Sequence, residues 1–161
     1  MALFEWTDDF ITGIEAIDDD HKLLVSLINQ LHEATAAGQN REIITSVLTV
    51  LMEYTCTHFA REEKILEKSD YPHLEMHQEK HKVLREQVIE IHRRFVEEEV
   101  DSIAGETLVF LKEWLTKHIL GTDLAYKPYV QGIVLTQQEE MEILGFDEIG
   151  EDSYDPLIKI A

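Results

Sequence analysis

The segment His58-Phe59-Ala60-Arg61-Glu62 places an imidazole and a carboxylate four residues apart inside a long stretch of helical apolar period, residues 41–67. Four residues make slightly more than one helical turn, so both polar side chains share one face of the predicted helix. The apolar stripe of this helix comprises Ile44, Val47, Leu48, Leu51, Met52 and Thr55. Metal-ligating side chains on long amphipathic helices are typical of helix bundles that hold metals in their interior.

Three further stretches have the same period. The carboxylates of residues 18–20 predict the N-terminus of a first helix, which Gly38 ends. A third helix is predicted over residues 73–98, and a fourth from residues 101–102 to Gly121. The apolar residues predicted to face the core are Leu23, Leu24, Leu27, Ile28 and Leu31, then Val83, Leu84, Val88, Ile91 and Phe95, then Val109, Phe110, Leu111, Trp114 and Leu115.

Long helices with short connections predict an all-α fold, an antiparallel up-down-up-down four-helix bundle. Residues 1–17 lack a helical period and predict an extended N-terminal arm over the core, so residues 1–130 form the bundle domain. Residues 131–161 form a short acidic C-terminal extension, in which Thr136-x-x-Glu139 predicts a capping box. We expect the extension to dock on the bundle through Ile133, Leu135, Met141, Ile143, Leu144 and Phe146.

The composition excludes several functional classes. Among 161 residues, 33 are acidic and 14 basic, giving a net charge of −19. This charge argues against nucleic-acid binding and against binding to a membrane through a polybasic surface. No run of ~18 consecutive apolar residues predicts membrane insertion, and no segment resembles a targeting signal. The single cysteine, Cys56, excludes an internal disulfide. A cytoplasmic location is therefore expected.

The eight histidines form a pattern across the predicted helices. His77 and His81 repeat the four-residue spacing of His58 and Glu62, although His73 and His77 are an alternative pair. The remaining candidates are His21 at the start of the first helix, and His118 with Asp123 near the end of the fourth. An α-helix would turn Asp123 away from His118, so we expect a chain break at Gly121 to return the carboxylate.

The types of ligand atom limit which metals this site could bind. Imidazole and carboxylate together suit iron, copper, zinc or manganese, but not calcium. Five histidines and two carboxylates exceed one tetrahedral zinc and predict two metals bridged by the carboxylates. No histidine follows a glutamate by three residues, which argues against a ferritin-like di-iron site. We expect His32, His73 and His92 to lie outside the site, Glu63 to point aside, and Cys56 to face away.

With these residues in place, the chain resembles the hemerythrins, in particular the bacterial ones, over roughly residues 3 to 130. The resemblance rests on Asp20-His21-Lys22-x-Leu24, His58-Phe59-x-x-Glu62-Glu63, Tyr71-Pro72, His77-x-x-x-His81 and His118-Ile119-x-Gly121-Thr122-Asp123. It implies two iron ions joined by an oxo or hydroxo bridge. His77, His81 and His118 would hold one iron, His21 and His58 the other, and Glu62 and Asp123 would bridge them. The two-histidine iron would keep an open position for O2.

The resemblance implies reversible O2 binding for transport, storage or delivery, and no enzymatic activity. Such binding needs a water-poor pocket, for which we predict Leu24, Phe59, Trp114, Leu115 and Ile119. The alternatives are an O2 or redox sensor and a di-iron peroxidase or nitric-oxide-handling enzyme. A sensor would require a signalling partner, and delivery an O2-using partner, for which the extension is the candidate contact. The sequence places no histidine, tyrosine or glutamate over the open position, which argues against acid–base catalysis.

Overall fold

The computed structural model describes residues 2–98, 103 and 105–145. Its helices are α1 (Glu15–Ala36), α2 (Arg41–Lys68), α3 (Leu74–Glu97), α4 (Gly105–Lys117) and α5 (Gln137–Ile143). Helix α1 packs against α2 and α4, and α2 also packs against α3. The first four helices form the predicted four-helix bundle, and an extended arm precedes α1.

The N-terminus of α1 differs from the prediction. The helix begins at Glu15, and Asp18 lies in its first turn rather than before it. The Asp18 carboxylate accepts hydrogen bonds of 2.8 Å from both the backbone N–H and the hydroxyl of Thr12. It therefore fixes the end of the arm against α1. Farther along the arm, Phe4 exchanges two backbone hydrogen bonds of 2.8 Å with the side chain of Asn29.

The core consists of two apolar clusters. The larger one fills the bundle interior, and Leu31, Leu48 and Leu111 are completely buried in it. The smaller one lies where the arm, the end of α2 and residues 126–135 meet, and includes Ile17, Leu66 and Tyr126 among its buried members. Four residues predicted to face the core are instead substantially exposed: Leu23, Val83, Val109 and Phe110.

Residues following Asp123 continue along the surface of the bundle. A 3₁₀ segment, Leu124–Tyr129, leads to α5, whose Thr136–Glu139 capping box is confirmed. Helix α5 packs on α2, while Ile133 and Leu135 pack against the smaller apolar cluster. Leu144 is exposed, and Phe146 lies outside the described residues, as do residues 101–102.

Among the described helices, α2 has the length and composition of a possible membrane span. The same test is met by core helices of bundles. In this structure α2 packs between α1 and α3, and its buried face carries His58 and Glu62. We therefore interpret α2 as a core helix.

Candidate metal centre

The structure brings all seven predicted ligands together inside the bundle, near the end where α1 and α3 begin and α2 and α4 end, and all are buried. They form two groups in which the ligand atoms lie within 4.8 Å of one another. The first group is Glu62, His77, His81, His118 and Asp123, and the second is His21, His58, Glu62 and Asp123. The two groups share both carboxylates, and they contain three and two histidines respectively.

Glu62 presents one oxygen to each group. Its Oε1 lies 2.7 Å from Nε2 of His77 and 2.9 Å from Nε2 of His81. Its Oε2 lies 3.5 Å from Nε2 of His21 and 3.4 Å from Nε2 of His58. This division of the two oxygens is the arrangement that a bridging carboxylate requires.

Asp123 divides its oxygens in the same way. Its Oδ1 lies 2.9 Å from Nε2 of His118 and 3.2 Å from Nε2 of His77, and its Oδ2 lies 3.1 Å from Nε2 of His21. A π-helical turn, His118–Asp123, produces this position. In a π turn, residue i bonds to i+5, so Asp123 returns to the face of His118. The expected break at Gly121 is wrong, because helical backbone continues through it without a positive φ.

Several buried polar atoms of the site lack an aligned hydrogen-bond partner among the described residues. They are both ring nitrogens of His21, Nε2 of His58 and both carboxylate oxygens of Asp123. Except for Nδ1 of His21, these atoms lie at ion-pair distances from other ligand atoms without aligned hydrogen bonds, although buried polar atoms are normally satisfied. Such a set fits metal ions, because a cation accepts lone pairs from nitrogen and oxygen together.

Without metal, the carboxylates favour the protonated form of several of the imidazoles. Burial alone would lower the pKa of His21 and His77, but the nearby carboxylates of Asp123 and Glu62 outweigh it and raise both to about 9. The same balance raises the pKa of His118 to about 10. Burial opposes ionisation of Glu62 and Asp123, yet the neighbouring imidazoles lower the pKa of both carboxyls. Metal binding must therefore displace protons.

We predict that the metal-free protein loses stability as the pH rises. A histidine whose pKa is raised in the folded state stabilises the fold at pH values below 6.5, its pKa in the unfolded chain. This contribution disappears as the pH passes about 9 to 10. Denaturant unfolding in the presence of a chelator should give a smaller free energy of unfolding at pH 10 than at pH 6.5. A metal-loaded sample serves as the control, because its imidazoles are already deprotonated. An equal decrease in both samples would contradict this origin.

A second layer of side chains orients the ligands, and the sequence analysis missed it. His58 Nδ1 lies 2.9 Å from Oδ2 of Asp20. His81 Nδ1 lies 2.9 Å from Oε2 of Glu63, which belongs to neither ligand group, as expected, but contacts a ligand from outside. Such partners fix the ring orientation and leave Nε2 for the metal. For Asp20, the adjacent Asp-His pair in the sequence was the available signal.

Tyr126 is the other missed residue. Its hydroxyl donates a 3.0 Å hydrogen bond to Oε2 of Glu62, so a tyrosine that the sequence did not indicate contacts one of the candidate ligands. Burial, together with the charges of Glu62 and Asp123, raises its pKa well above the usual value. Tyr126 therefore stays protonated and acts as a donor that orients the bridging carboxylate.

The predicted pocket residues are all buried in the larger apolar cluster: Leu24, Phe59, Trp114, Leu115 and Ile119. The ring of Phe59 stacks on His81 at 4.0 Å between centroids and lies 5.8 Å from His58. It therefore contacts the three-histidine group more closely than the two-histidine group, beside which it was expected. Of the five, Phe59 has direct ring contacts with ligand histidines.

The remaining histidines belong to neither group. His92 pairs with the hydroxyl of Thr49 at 2.9 Å, His73 is exposed beside Tyr71, and His32 is half-buried. Cys56 is a free, half-buried thiol outside both groups. The expectation that these histidines and the thiol lie away from the site agrees with their positions.

Comparisons with a family model, with related sequences and with solved structures all point to the same family. Residues 12–130 match the family model of the hemerythrin HHE cation binding domain. A bacteriohemerythrin of Stenotrophomonas maltophilia is 37% identical over 81% of this chain and 84% of the relative, and one of Methylococcus capsulatus is 33% identical over 80% and 97%. The crystal structure of a wild-type hemerythrin has a TM-score of 0.75 at 31% identity, covering 81% of this chain and 100% of that one.

Proposed function

This chain belongs to the hemerythrin family, and from that premise we propose that it binds O2 reversibly at a pair of iron ions. One observation carries the proposal: two buried ligand groups share Glu62 and Asp123, each of which offers one oxygen to either side. The proposed ligands are His77, His81 and His118 on one side, His21 and His58 on the other, with both carboxylates as bridges. When bound, the two irons supply the redox chemistry of O2 uptake and release.

The two ligand groups differ in their number of histidines, and this difference favours one of them as the O2-binding side. The group of His21 and His58 contributes one imidazole fewer than its neighbour, so its metal position has the smaller protein ligand set. We propose this side as the open one. Asp20 and Tyr126 keep the adjacent His58 and Glu62 in fixed orientations, which limits rearrangement when the open position is filled and emptied.

Buried apolar side chains are proposed to exclude water from this open position. Leu24 and Ile119 are completely buried, and Phe59 and Leu115 are 1% exposed. A dry apolar shell lowers the local dielectric and limits solvent access, which controls the redox behaviour of a metal site. We therefore propose that the pocket residues slow irreversible oxidation and so make O2 release possible.

We propose a non-enzymatic role in the carriage, storage or delivery of O2. Tyr126 is an acid–base group in contact with a ligand, but its hydroxyl is engaged with Glu62 and its raised pKa disfavours proton release. We place this role in the cytoplasm, where the lone thiol Cys56 stays reduced. A contact between residues 131–161 and an O2-using or signalling partner stays a prediction.

The proposal is tested by metal analysis and optical spectroscopy of the full-length protein. Anaerobic reduction followed by air should produce a visible charge-transfer band that disappears on deoxygenation and returns on re-exposure, with about two irons per chain. A His58→Gln variant is expected to lose the reversible band. Irreversible oxidation of the unsubstituted protein without an O2-dependent band would refute reversible binding, and fewer than two irons per chain would refute the dinuclear site.

A further inference from the structure

The C-terminal extension reaches toward the metal site through α5. Two ion pairs hold this helix on α2. Lys68 Nζ lies 2.8 Å from Oε1 of Glu139, and Arg61 Nε lies 3.1 and 3.0 Å from the two carboxylate oxygens of Glu140. Lys68 is partly exposed, whereas the Arg61 side chain is only 12% exposed. The Arg61 pair thus extends into the bundle.

Arg61 contacts a second carboxylate through its other edge. Its Nη1 lies 2.8 and 2.6 Å from the two oxygens of Asp20. Asp20 in turn accepts from Tyr54 OH and pairs with His58 Nδ1 at 2.9 Å. Direct contacts therefore run without interruption from Glu140 through Arg61 and Asp20 to His58.

We propose that Glu140 is a positioning residue for His58, acting through Arg61 and Asp20; this inference rests on the proposed metal-binding function. A guanidinium is planar and can bind a carboxylate on each of two edges at once. With Glu140 on one edge, Arg61 is fixed with Nη1 against Asp20. Asp20 is then fixed in turn, which sets the orientation of the His58 ring and leaves its Nε2 for the metal.

Two observations indicate that these contacts do more than hold α5 on α2. Glu140 lies after residue 130, where the match to the family model ends, so the extension adds an interaction to the bundle's own ligand set. The contacts end on His58, which belongs to the group with fewer histidines, where we propose that O2 binds. Docking of α5 is therefore coupled to the geometry of the O2-binding side.

The test compares Glu140→Gln with Glu139→Gln. Both variants remove one carboxylate charge of α5, but only Glu140 contacts Arg61, and glutamine at position 139 preserves the capping box. In metal-free full-length protein with isotope-labelled histidine, His58 Nδ1–H should give a slowly exchanging, downfield NMR signal. Glu140→Gln is expected to accelerate its exchange, whereas Glu139→Gln should leave it unchanged.

A second readout uses the iron-loaded protein. Loss of an outer partner of a histidine ligand typically weakens metal binding about 10- to 100-fold, and Glu140 is two contacts farther away, so we expect metal loss to a chelator about threefold to tenfold faster in Glu140→Gln. If Glu140→Gln unfolds, Arg61→Lys replaces it, because lysine keeps the charge but cannot span both carboxylates. It should give the same accelerated exchange.

Equal behaviour of Glu140→Gln and Glu139→Gln in both readouts would overturn the proposal and reduce α5 to a docked helix. An unprotected His58 Nδ1–H in the unsubstituted protein would overturn it as well. Failure of the unsubstituted protein to bind iron is a different result: it would refute the proposed function, and the NMR comparison in metal-free protein would still show whether Glu140 positions His58.

Discussion

Replacing Glu62 with glutamine is expected to abolish the dinuclear site. Glu62 is the residue on which both ligand groups converge, with one oxygen facing His77 and His81 and the other facing His21 and His58. The amide retains one oxygen and offers N–H donors where the second oxygen stood. We therefore expect iron content to fall below two per chain and metal affinity to fall more than about 100-fold, beyond the usual cost of an outer partner.

The same substitution should destabilise the metal-free protein. In that protein Glu62 and Asp123 raise the pKa of His21 and His77 to about 9, so the carboxylates compensate the charge of these two buried imidazoles. Removing one partner of a buried charge pair typically costs about 3–5 kcal/mol, since the other charge is left unpaired. Denaturant unfolding with a chelator present measures this loss, and iron analysis measures the first effect.

Two neighbouring glutamates on α2 provide matched controls. Glu63→Gln removes only the charge beside His81 Nδ1 and should have a smaller effect on metal binding. The side chain of Glu67 is 64% exposed, so Glu67→Gln should leave iron content and stability close to the unsubstituted values. Two irons per chain and a reversible O2 band in Glu62→Gln would exclude Glu62 as a bridge.

The bundle could be predicted from the sequence because each long helix carries its own amphipathic period. The predictions that fail concern side chains whose surroundings are not set by the helical period. Asp18 was assigned as a capping residue, but its carboxylate binds the backbone and hydroxyl of Thr12 in the arm. Val83 and Phe110 satisfied the apolar period but are exposed along the α3–α4 side of the bundle.

The seven candidate ligands could be found because six of them follow ordinary helical spacing or lie near the start or end of a helix. Asp123 was the exception, since an α-helix would have rotated it away from His118. The π turn solves this problem by adding one residue to the turn, which makes a five-residue separation equivalent to the four-residue separation of His58 and Glu62. A pattern based on 3.6 residues per turn cannot predict that change.

The supporting residues were less predictable than the ligands. Tyr126 is 64 residues from its partner Glu62, and Arg61 is 79 residues from Glu140. Pairings of this kind depend on how the 3₁₀ segment and α5 return to the bundle, which local periodicity does not specify. The acid excess of the extension thus has one definite use, because Glu139 and Glu140 bind two cations of α2.

The second large effect is expected from replacing Phe59 with alanine. Phe59 is 1% exposed, stacks on His81 at 4.0 Å and contacts Trp114 and His118 at 6.4 and 5.8 Å between ring centroids. Truncation of a buried phenylalanine leaves a cavity and typically costs about 3–5 kcal/mol in the free energy of unfolding. The cavity borders the ligands, so it should also admit water to the site.

Two measurements separate these consequences. Denaturant unfolding gives the stability loss, and the rate at which the oxygenated form becomes permanently oxidised reports water entry, which we expect to be faster in Phe59→Ala. Phe110→Ala is the matched control, because the same atoms are removed from a side chain that is 39% exposed and lies on α4 about two turns before His118. Iron content should remain at two per chain in both variants, since neither ring supplies a ligand atom. A stable Phe59→Ala protein with an unchanged oxidation rate would show that Phe59 packs the core without protecting the site.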